Sequence, residues 1–320
     1  MLFMKILVTG GAGFIGSNLC ERLLEMGHDV ICLDNFNSYY SPDIKKKNIA
    51  PLSANPKFNC VIEDVVNHNA IEKVFIENHI DAVIHLAAKA GVRASLEDPE
   101  GFSVNNIIGT FHLLEVCKRY KVKNFIFGSS SSIYGNNEKV PFSETDNVDY
   151  PISPYAATKK ANELFCYNYH HLYGMNIACL RFFTVYGPKN RPDMANFTMV
   201  RDIFNGKPVN KYGDGSSRRD YTYIDDIVDG VMACLDKNFG FEIINLGNSE
   251  PVSLNQMIST LEEAVGKKAV INEVPMPAGD VNQTYADIGK AKRILGWEPN
   301  TKYSDGVKKL VAWYKEAYGA

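Results

Sequence analysis

The sequence is poor in the features that mark a secreted, membrane-bound or metal-dependent protein. Its seven cysteines, at positions 20, 32, 60, 117, 166, 179 and 234, are odd in number and never form a C-x-x-C pair. That excludes a disulfide framework or a zinc ribbon and predicts free thiols in a reducing compartment. The seven histidines show no H-E-x-x-H pattern, so no metal site is expected. No apolar run approaches the roughly 20 residues of a membrane-spanning helix. Positive charge is not in excess: 34 lysines and arginines face 37 aspartates and glutamates, for a formal net charge of −3. No nucleic-acid partner is expected, and an anionic ligand has to be held by local arginines rather than a global field. The opening Lys5-Ile6-Leu7-Val8 runs straight into a glycine turn. It reads as a strand rather than a signal peptide, and the cytoplasm is the expected location.

What is present is a regular alternation. With 320 residues, 45% of them hydrophobic, the chain is long enough for one large domain or two intimate lobes. Residues 4–9 are short, apolar and β-branched, and residues 14–26 carry apolar side chains at helical spacing up to Gly27. Strands are predicted again at Val30 to Leu33, Asp81 to Leu86, Asn124 to Gly128 and Asn176 to Phe183; helices at Gly109 to Tyr120 and Pro154 to Tyr173. This alternation predicts an α/β fold, a doubly wound parallel sheet of the Rossmann type. After about residue 184 the rhythm breaks at Tyr186-Gly187-Pro188 and Gly213-Asp214-Gly215. The segment between them reads as a strand-poor insertion with one short helix. Tyr221 to Asp236 returns to strand and helix, and residues 253–265 and 304–317 are amphipathic helices of a smaller, mixed α/β C-terminal lobe. The expected division is 1–183 with 220–247, and 184–219 with 248–320.

The turn Gly10-Gly11-Ala12-Gly13-Phe14-Ile15-Gly16 follows a strand and opens a helix. In that context the glycines at 10, 13 and 16 serve a tight turn, close approach to a pyrophosphate and close helix packing, with the helix N-terminus facing the phosphates. Asp34 ends the second strand at the distance where a carboxylate meets a ribose 2′-hydroxyl and repels a 2′-phosphate, which favours NAD over NADP. Asp64-Val65, after the third strand, is a candidate partner for the adenine. Leu86, Ala87, Ala88 and Lys89 form a small-residue strand end where the cofactor would lie against the backbone.

Tyr155 and Lys159 are i and i+4 and share one helix face. A free phenol, with a pKa near ~10, is too weak a base at neutral pH, and a neighbouring ammonium favours the phenolate. Ser130 lies on the turn after a strand, where its hydroxyl can bond a reacting oxygen. The set predicts proton removal from an alcohol as nicotinamide takes the hydride.

Gly10 to Gly16, Ser130, Tyr155 and Lys159 resemble the extended short-chain dehydrogenases/reductases over nearly the whole chain. Asp34 to Tyr40, His85 to Ser95, Tyr155 to Leu164, Arg181 to Pro188, Arg191 to Ala195 and Arg219 to Asp226 are similar to the NAD-dependent UDP-sugar 4-epimerases, closest in flavour to those of UDP-glucuronate. The resemblance implies a redox cycle with no net redox. Tyr155 takes the 4-hydroxyl proton, Lys159 holds the nicotinamide ribose, Ser130 bonds the 4-oxygen with Ser132 nearby, and the 4-keto sugar turns over before hydride returns. It also implies cofactor contacts at Asn35, Asn37 and Asn105, and a UDP site from Asn196, Tyr212, Arg219 and Asp280. The smaller lobe would then be the nucleotide-sugar lobe. Arg93, Arg191, Ser132 and Thr184 are candidate partners for a C5 carboxylate. Relatives pair two copies through helices 108–120 and 154–173, so a homodimer is expected, and a surface polysaccharide precursor is the natural product.

The chain departs from the pattern at three places. Pro277 stands where glucose epimerases commonly carry a phosphate-binding arginine, Thr284 replaces a bulky gate, and Lys189-Asn190 replaces Trp-Gly or Arg-Gln. The small Thr284 predicts tolerance of a larger sugar substituent, either a uronate or an N-acetyl group; related UDP-glucose and UDP-N-acetylglucosamine epimerases share much of the pattern, so both stay as alternative substrates. Related 4,6-dehydratases place Asp-Glu after the catalytic Ser/Thr; Ser131-Ser132 here cannot do that chemistry. A non-catalytic NAD-binding sensor would not need the intact Ser130, Tyr155 and Lys159.

Overall fold

The computed structural model describes residues 3–276 and 282–319. They divide into two compact units: Met1–Gly135, Glu144–Phe182 and Val228–Asn245, and then Asn136–Ser143, Phe183–Ile227 and Leu246–Ala320. Residues 136–143 and 220–227 thus fall with the second unit, a different partition from the one expected.

The first unit is built on β1 (Lys5–Thr9), β2 (Asp29–Asp34), β3 (Phe58–Ile62), β4 (Ala82–His85), β5 (Asn124–Ser130), β6 (Asn176–Phe182) and β10 (Phe241–Leu246), ordered β10-β6-β5-β4-β1-β2-β3. The pairs β1–β2, β2–β3, β1–β4, β4–β5 and β5–β6 are parallel. Ile6, Leu7 and Val8 are fully buried, as are Val83 and Ile84. This is why these strands read as continuous apolar runs rather than alternating ones. Strand order reverses between β1 and β4, the place where parallel sheets bind ligands beyond their carboxyl ends. Helices Phe14–Glu25, His68–Glu77, Gly109–Arg119 and Pro154–Tyr173 follow β1, β3, β4 and β5 in the chain. In the helix Phe14–Glu25, Phe14, Leu19, Leu23 and Leu24 are buried. Each such side chain contributes about 1.5–3 kcal/mol by leaving water. The helix Pro154–Tyr173 starts on Ser153, whose hydroxyl accepts from the Ala156 amide, and stops at left-handed Gly174.

In the second unit β9 (Arg218–Tyr223) pairs in parallel with β7 (Thr184–Tyr186) and β13 (Gln283–Thr284), and antiparallel with β11 (Pro251–Ser253). A two-stranded sheet joins β8 (Pro208–Tyr212) to β12 (Val270–Val274). The stretch expected to be strand-poor therefore carries β8 as well as a helix, Ala195–Phe204. The strand is not legible locally because its partner lies about sixty residues away and four of the five β12 residues are exposed. Tyr186, Tyr221, Tyr223 and Tyr303 pack ring against ring in this unit's core. No helix among the described residues is long and apolar enough to cross a membrane.

Candidate active site

The turn after β1 is a cradle made by missing side chains. Gly10 has φ +68°, and a Cβ added there would lie 2.8 Å from the Ala87 amide nitrogen. A Cβ on Gly16 would lie 2.2 Å from the Gly10 carbonyl oxygen, so the helix can start only where glycine lets it touch the turn. Gly13 caps the helix Phe14–Glu25 with extended backbone and no side-chain acceptor, which leaves the helix N-terminus to an external anion. Phe14 is buried beneath the turn and Ile15 is partly exposed. These features fit a dinucleotide pyrophosphate.

At the end of β2, Asp34 is buried rather than solvated. It accepts from the Ala12 amide (3.2 Å) and the Phe36 amide (2.9 Å), and Lys45 Nζ lies 3.4 Å away. Lys45, itself buried, also donates to Asn37 Oδ1 at 3.3 Å. Asn35 Nδ2 donates to Asp64 Oδ2 at 2.7 Å, joining the ends of β2 and β3. The Val65 side chain belongs to the hydrophobic core and presses on Gly109, where an added Cβ would lie 2.6 Å from it.

The strand end after β4 is fixed by its own backbone. Leu86 and Ala87 donate their amides to the Thr9 carbonyl (3.1 Å) and hydroxyl (3.2 Å). The Lys89 amide donates to Asn105 Oδ1 (3.1 Å) and Asn106 Oδ1 (2.8 Å), and Asn106 Nδ2 donates back to the Lys89 carbonyl at 3.0 Å. Ala88 between them is partly exposed. Lys89 Nζ pairs with Asp98 at 2.6 Å. Buried His85 bridges Thr9 and Thr110 at 2.7 and 2.9 Å. Burial, helped by the Lys159 charge, pulls its pKa down to about 3 and keeps the ring neutral.

Lys159 sits one helical turn beyond Tyr155, buried, and its Nζ donates to the Gly128 carbonyl at 2.5 Å. That bond seats the helix on β5, the strand that ends in Ser130. Burial lowers the Lys159 ammonium to about 8, against the pull of Cys166, Glu163 and Cys179. Nζ lies 5.9 Å from the centre of the Tyr155 ring, which packs edge-on against Phe102. Ser130 Oγ accepts from the Ser132 amide (3.2 Å) and hydroxyl (2.9 Å), leaving its own proton for a further acceptor. Arg93, in the first turn of the helix Val92–Glu97, is exposed.

In the second unit, β9 brings Arg219 opposite Thr284, and Thr184 opposite Tyr221. Arg219 Nη1 donates to the Arg218 carbonyl at 2.9 Å. Buried Asn196 accepts from the Tyr303 hydroxyl at 2.7 Å. Tyr212 ends β8. Arg191 holds Asp193 in a two-pronged pair at 3.0 and 2.6 Å. Asp220 staples this region: buried, it accepts from the amides of Asn248, Ser249 and Ala286 at 2.7–3.0 Å and from Thr222 Oγ1 at 3.1 Å. Asp280 and Pro277 lie outside the described residues.

Sequence reasoning missed Lys45, Asn106 and the Glu163–Arg181 pair. Lys45 sits in a Lys45-Lys46-Lys47 run that reads as a solvated face. Glu163 carried one signal, its position four residues after Lys159.

Residues 6–247 match the family model described as the NAD dependent epimerase/dehydratase family. The chain is 48% identical to a UDP-glucuronate 4-epimerase of Thermodesulfobacterium geofontis, over 97% of this chain and 96% of that one. It is similar, at TM-score 0.92 and 41% identity, to the crystal structure of UDP-glucuronic acid 4-epimerase from Bacillus cereus in complex with UDP-glucuronic acid and NAD, covering 98% of this chain and all of that one. It also matches a UDP-glucose 4-epimerase of Thermotoga maritima with UDP-glucose, at TM-score 0.90 and 34% identity, over 98% and 99% of the two chains. The chain belongs to the NAD-dependent epimerase/dehydratase family.

Proposed function

We propose that this protein is an NAD-dependent isomerase that inverts C4 of UDP-glucuronate to give UDP-galacturonate through a transient 4-keto sugar. The observation that carries the reading is the Lys159–Gly128 bond, which locks the helix bearing Tyr155 onto the strand ending in Ser130. Bound NAD supplies the hydride acceptor and returns the hydride. Tyr155 removes the proton from the 4-hydroxyl and gives it back to the opposite epimer, while the Lys159 ammonium favours its phenolate form. The Ser130 hydroxyl, with its proton unspent, donates to the C4 oxygen as charge builds there.

The first unit holds NAD. Gly10, Gly13 and Gly16 receive the pyrophosphate with the amides of Phe14 and Ile15, and Asp34, Asn35 and Asn37 take the adenine ribose. Asp64 and Val65 lie at the adenine, and Leu86 to Lys89 with Asn105 border the nicotinamide half. The second unit holds UDP through Asn196, Tyr212, Arg219 and Asp280. Candidate partners for the C5 carboxylate are Ser132 and Arg93 in the first unit and Thr184 and Arg191 in the second. Arg191 already presents a two-pronged fork to Asp193, the geometry that suits a carboxylate. Replacing it by alanine should raise KM for UDP-glucuronate about tenfold or more; unchanged kinetics would remove Arg191 from the site.

Two copies associate through helices 108–120 and 154–173: Ile108, Phe111, Leu164 and Leu172 are exposed along them, with Val104 just before the first. Light scattering should give twice the chain mass. All seven cysteines are free, in keeping with a cytoplasmic enzyme that feeds surface polysaccharide synthesis. The deciding experiment is an NMR time course with UDP-glucuronate, UDP-glucose and UDP-N-acetylglucosamine in parallel. Conversion of the uronate alone supports the reading; conversion of the neutral sugars keeps the mechanism and overturns the substrate.

A further inference from the structure

A buried ion pair lies one helical turn beyond Lys159. Glu163 and Arg181 are each about 2% exposed or less. Arg181 Nε and Nη2 donate to the two carboxylate oxygens at 2.9 Å each, and Ser129 Oγ donates to Oε1 at 2.7 Å. Arg181 Nη1 donates to the Tyr134 hydroxyl at 3.0 Å, which donates on to Asn245 Oδ1 at 2.7 Å. Ser129 and Arg181 are register partners on β5 and β6. The carboxylate therefore ties three pieces together: the helix carrying Tyr155 and Lys159, the residue before Ser130, and the neighbouring strand.

We propose that Glu163, held by Arg181 and Ser129, is a positioning residue for the reaction: it fixes the base-bearing helix to the Ser130 strand end and places a carboxylate one helical turn from Lys159. Two buried charges are costly to desolvate, and an apolar pair often holds a fold as well. A purely structural tie would not need a carboxylate one turn from the catalytic lysine. The groups acting on Lys159 are Glu163 and Cys166 on its own helix and Cys179 on β6, with neutral His85 on β4 close enough to feel its charge. Glu163 is the one carboxylate in that set. Without its charge, buried Lys159 loses its proton more readily and Tyr155 loses the cation that favours its phenolate.

This inference rests on Tyr155 as the base, and its test does not require turnover. Ultraviolet titration of the Tyr155 phenolate, taken as the difference from Tyr155→Phe, is followed in wild type, Glu163→Gln and the neutral pair Glu163→Gln/Arg181→Met. In Glu163→Gln the phenolate should appear about one pH unit higher, with the acid limb of kcat moving the same way and NAD content unchanged. The neutral pair, which leaves no unpaired buried charge and therefore keeps its fold more readily, should shift in the same direction by less. Ser129→Ala, which keeps both charges, should leave the titration in place. A folded variant of either kind whose Tyr155 titrates at the wild-type pH overturns the proposal, whatever its kcat. A wild type that turns over no UDP-sugar would instead contradict the functional reading and leave this titration to decide the inference.

Discussion

The proposed cofactor end of the first unit is shaped by side chains that are missing, whereas its proposed reaction end is shaped by charges that are buried. At Gly10 and Gly16 a single added carbon would strike main-chain atoms at 2.8 and 2.2 Å. At Lys159, Glu163 and Arg181 the fit is electrostatic, with each ionic group buried and hydrogen-bonded. The two ends should therefore fail differently. Steric change at the first should weaken NAD binding, and change at the second should impair turnover with NAD in place.

The strongest break is Tyr155→Phe. Turnover should fall by about two to four orders of magnitude, while the ratio of NAD to protein after purification stays at the wild-type value. Substantial residual activity would remove Tyr155 as the base. Next is Gly16→Ala, where the clash with the Gly10 carbonyl leaves the base untouched. NAD affinity should drop by about ten- to a hundredfold, the size of a 1–3 kcal/mol overpacking cost, as read by calorimetric titration. Normal affinity would mean the turn can relax and the steric account is wrong.

Asp34→Ala sharpens the comparison because it sits at the cofactor end yet acts by charge. Lys45 would be left buried beside the proposed ribose site without its carboxylate partner. NAD should bind about tenfold more weakly and discrimination against NADP should relax. An unchanged NAD-to-NADP preference would count against a ribose role for Asp34.

The last prediction concerns stability rather than binding or turnover, through His85, which joins Thr9 to Thr110. Its pKa, lowered from 6.5 to about 3 by burial and then by the Lys159 charge, fixes the sign. Between those values the unfolded chain binds a proton that the folded chain refuses. Stability is therefore full above pH 6.5 and is lost as pH falls toward 3, by at most about 1.4 kcal/mol per pH unit. In His85→Gln, denaturant midpoints should decline less steeply over that window. Parallel declines would show that other groups carry the acid sensitivity.

The glycine turn and Asp34 of the proposed cofactor end were legible in the sequence because their determinants are local: three glycines at fixed spacing between a strand and a helix, and an aspartate closing the next strand. Tyr155 and Lys159 were legible for the same reason, being one turn apart on a helix whose bounds, Pro154–Tyr173, the periodicity located. The partners that tune them were not. Arg181 lies on another strand, and Asn106 becomes meaningful only when it closes on the Lys89 main chain. Lys45 was hidden by its two charged neighbours. The second unit was the least legible: β8 finds its partner at 270–274, and Asp220 gathers amides from 248, 249 and 286. No window of sequence contains such contacts.

In the proposed reaction hydride leaves C4 and returns to C4 without meeting solvent. UDP-glucuronate carrying deuterium at C4, turned over by the purified protein in ordinary water, tests it most directly. The account predicts UDP-galacturonate with the deuterium retained at C4. Loss of the label to water would contradict it and point to epimerisation by proton abstraction.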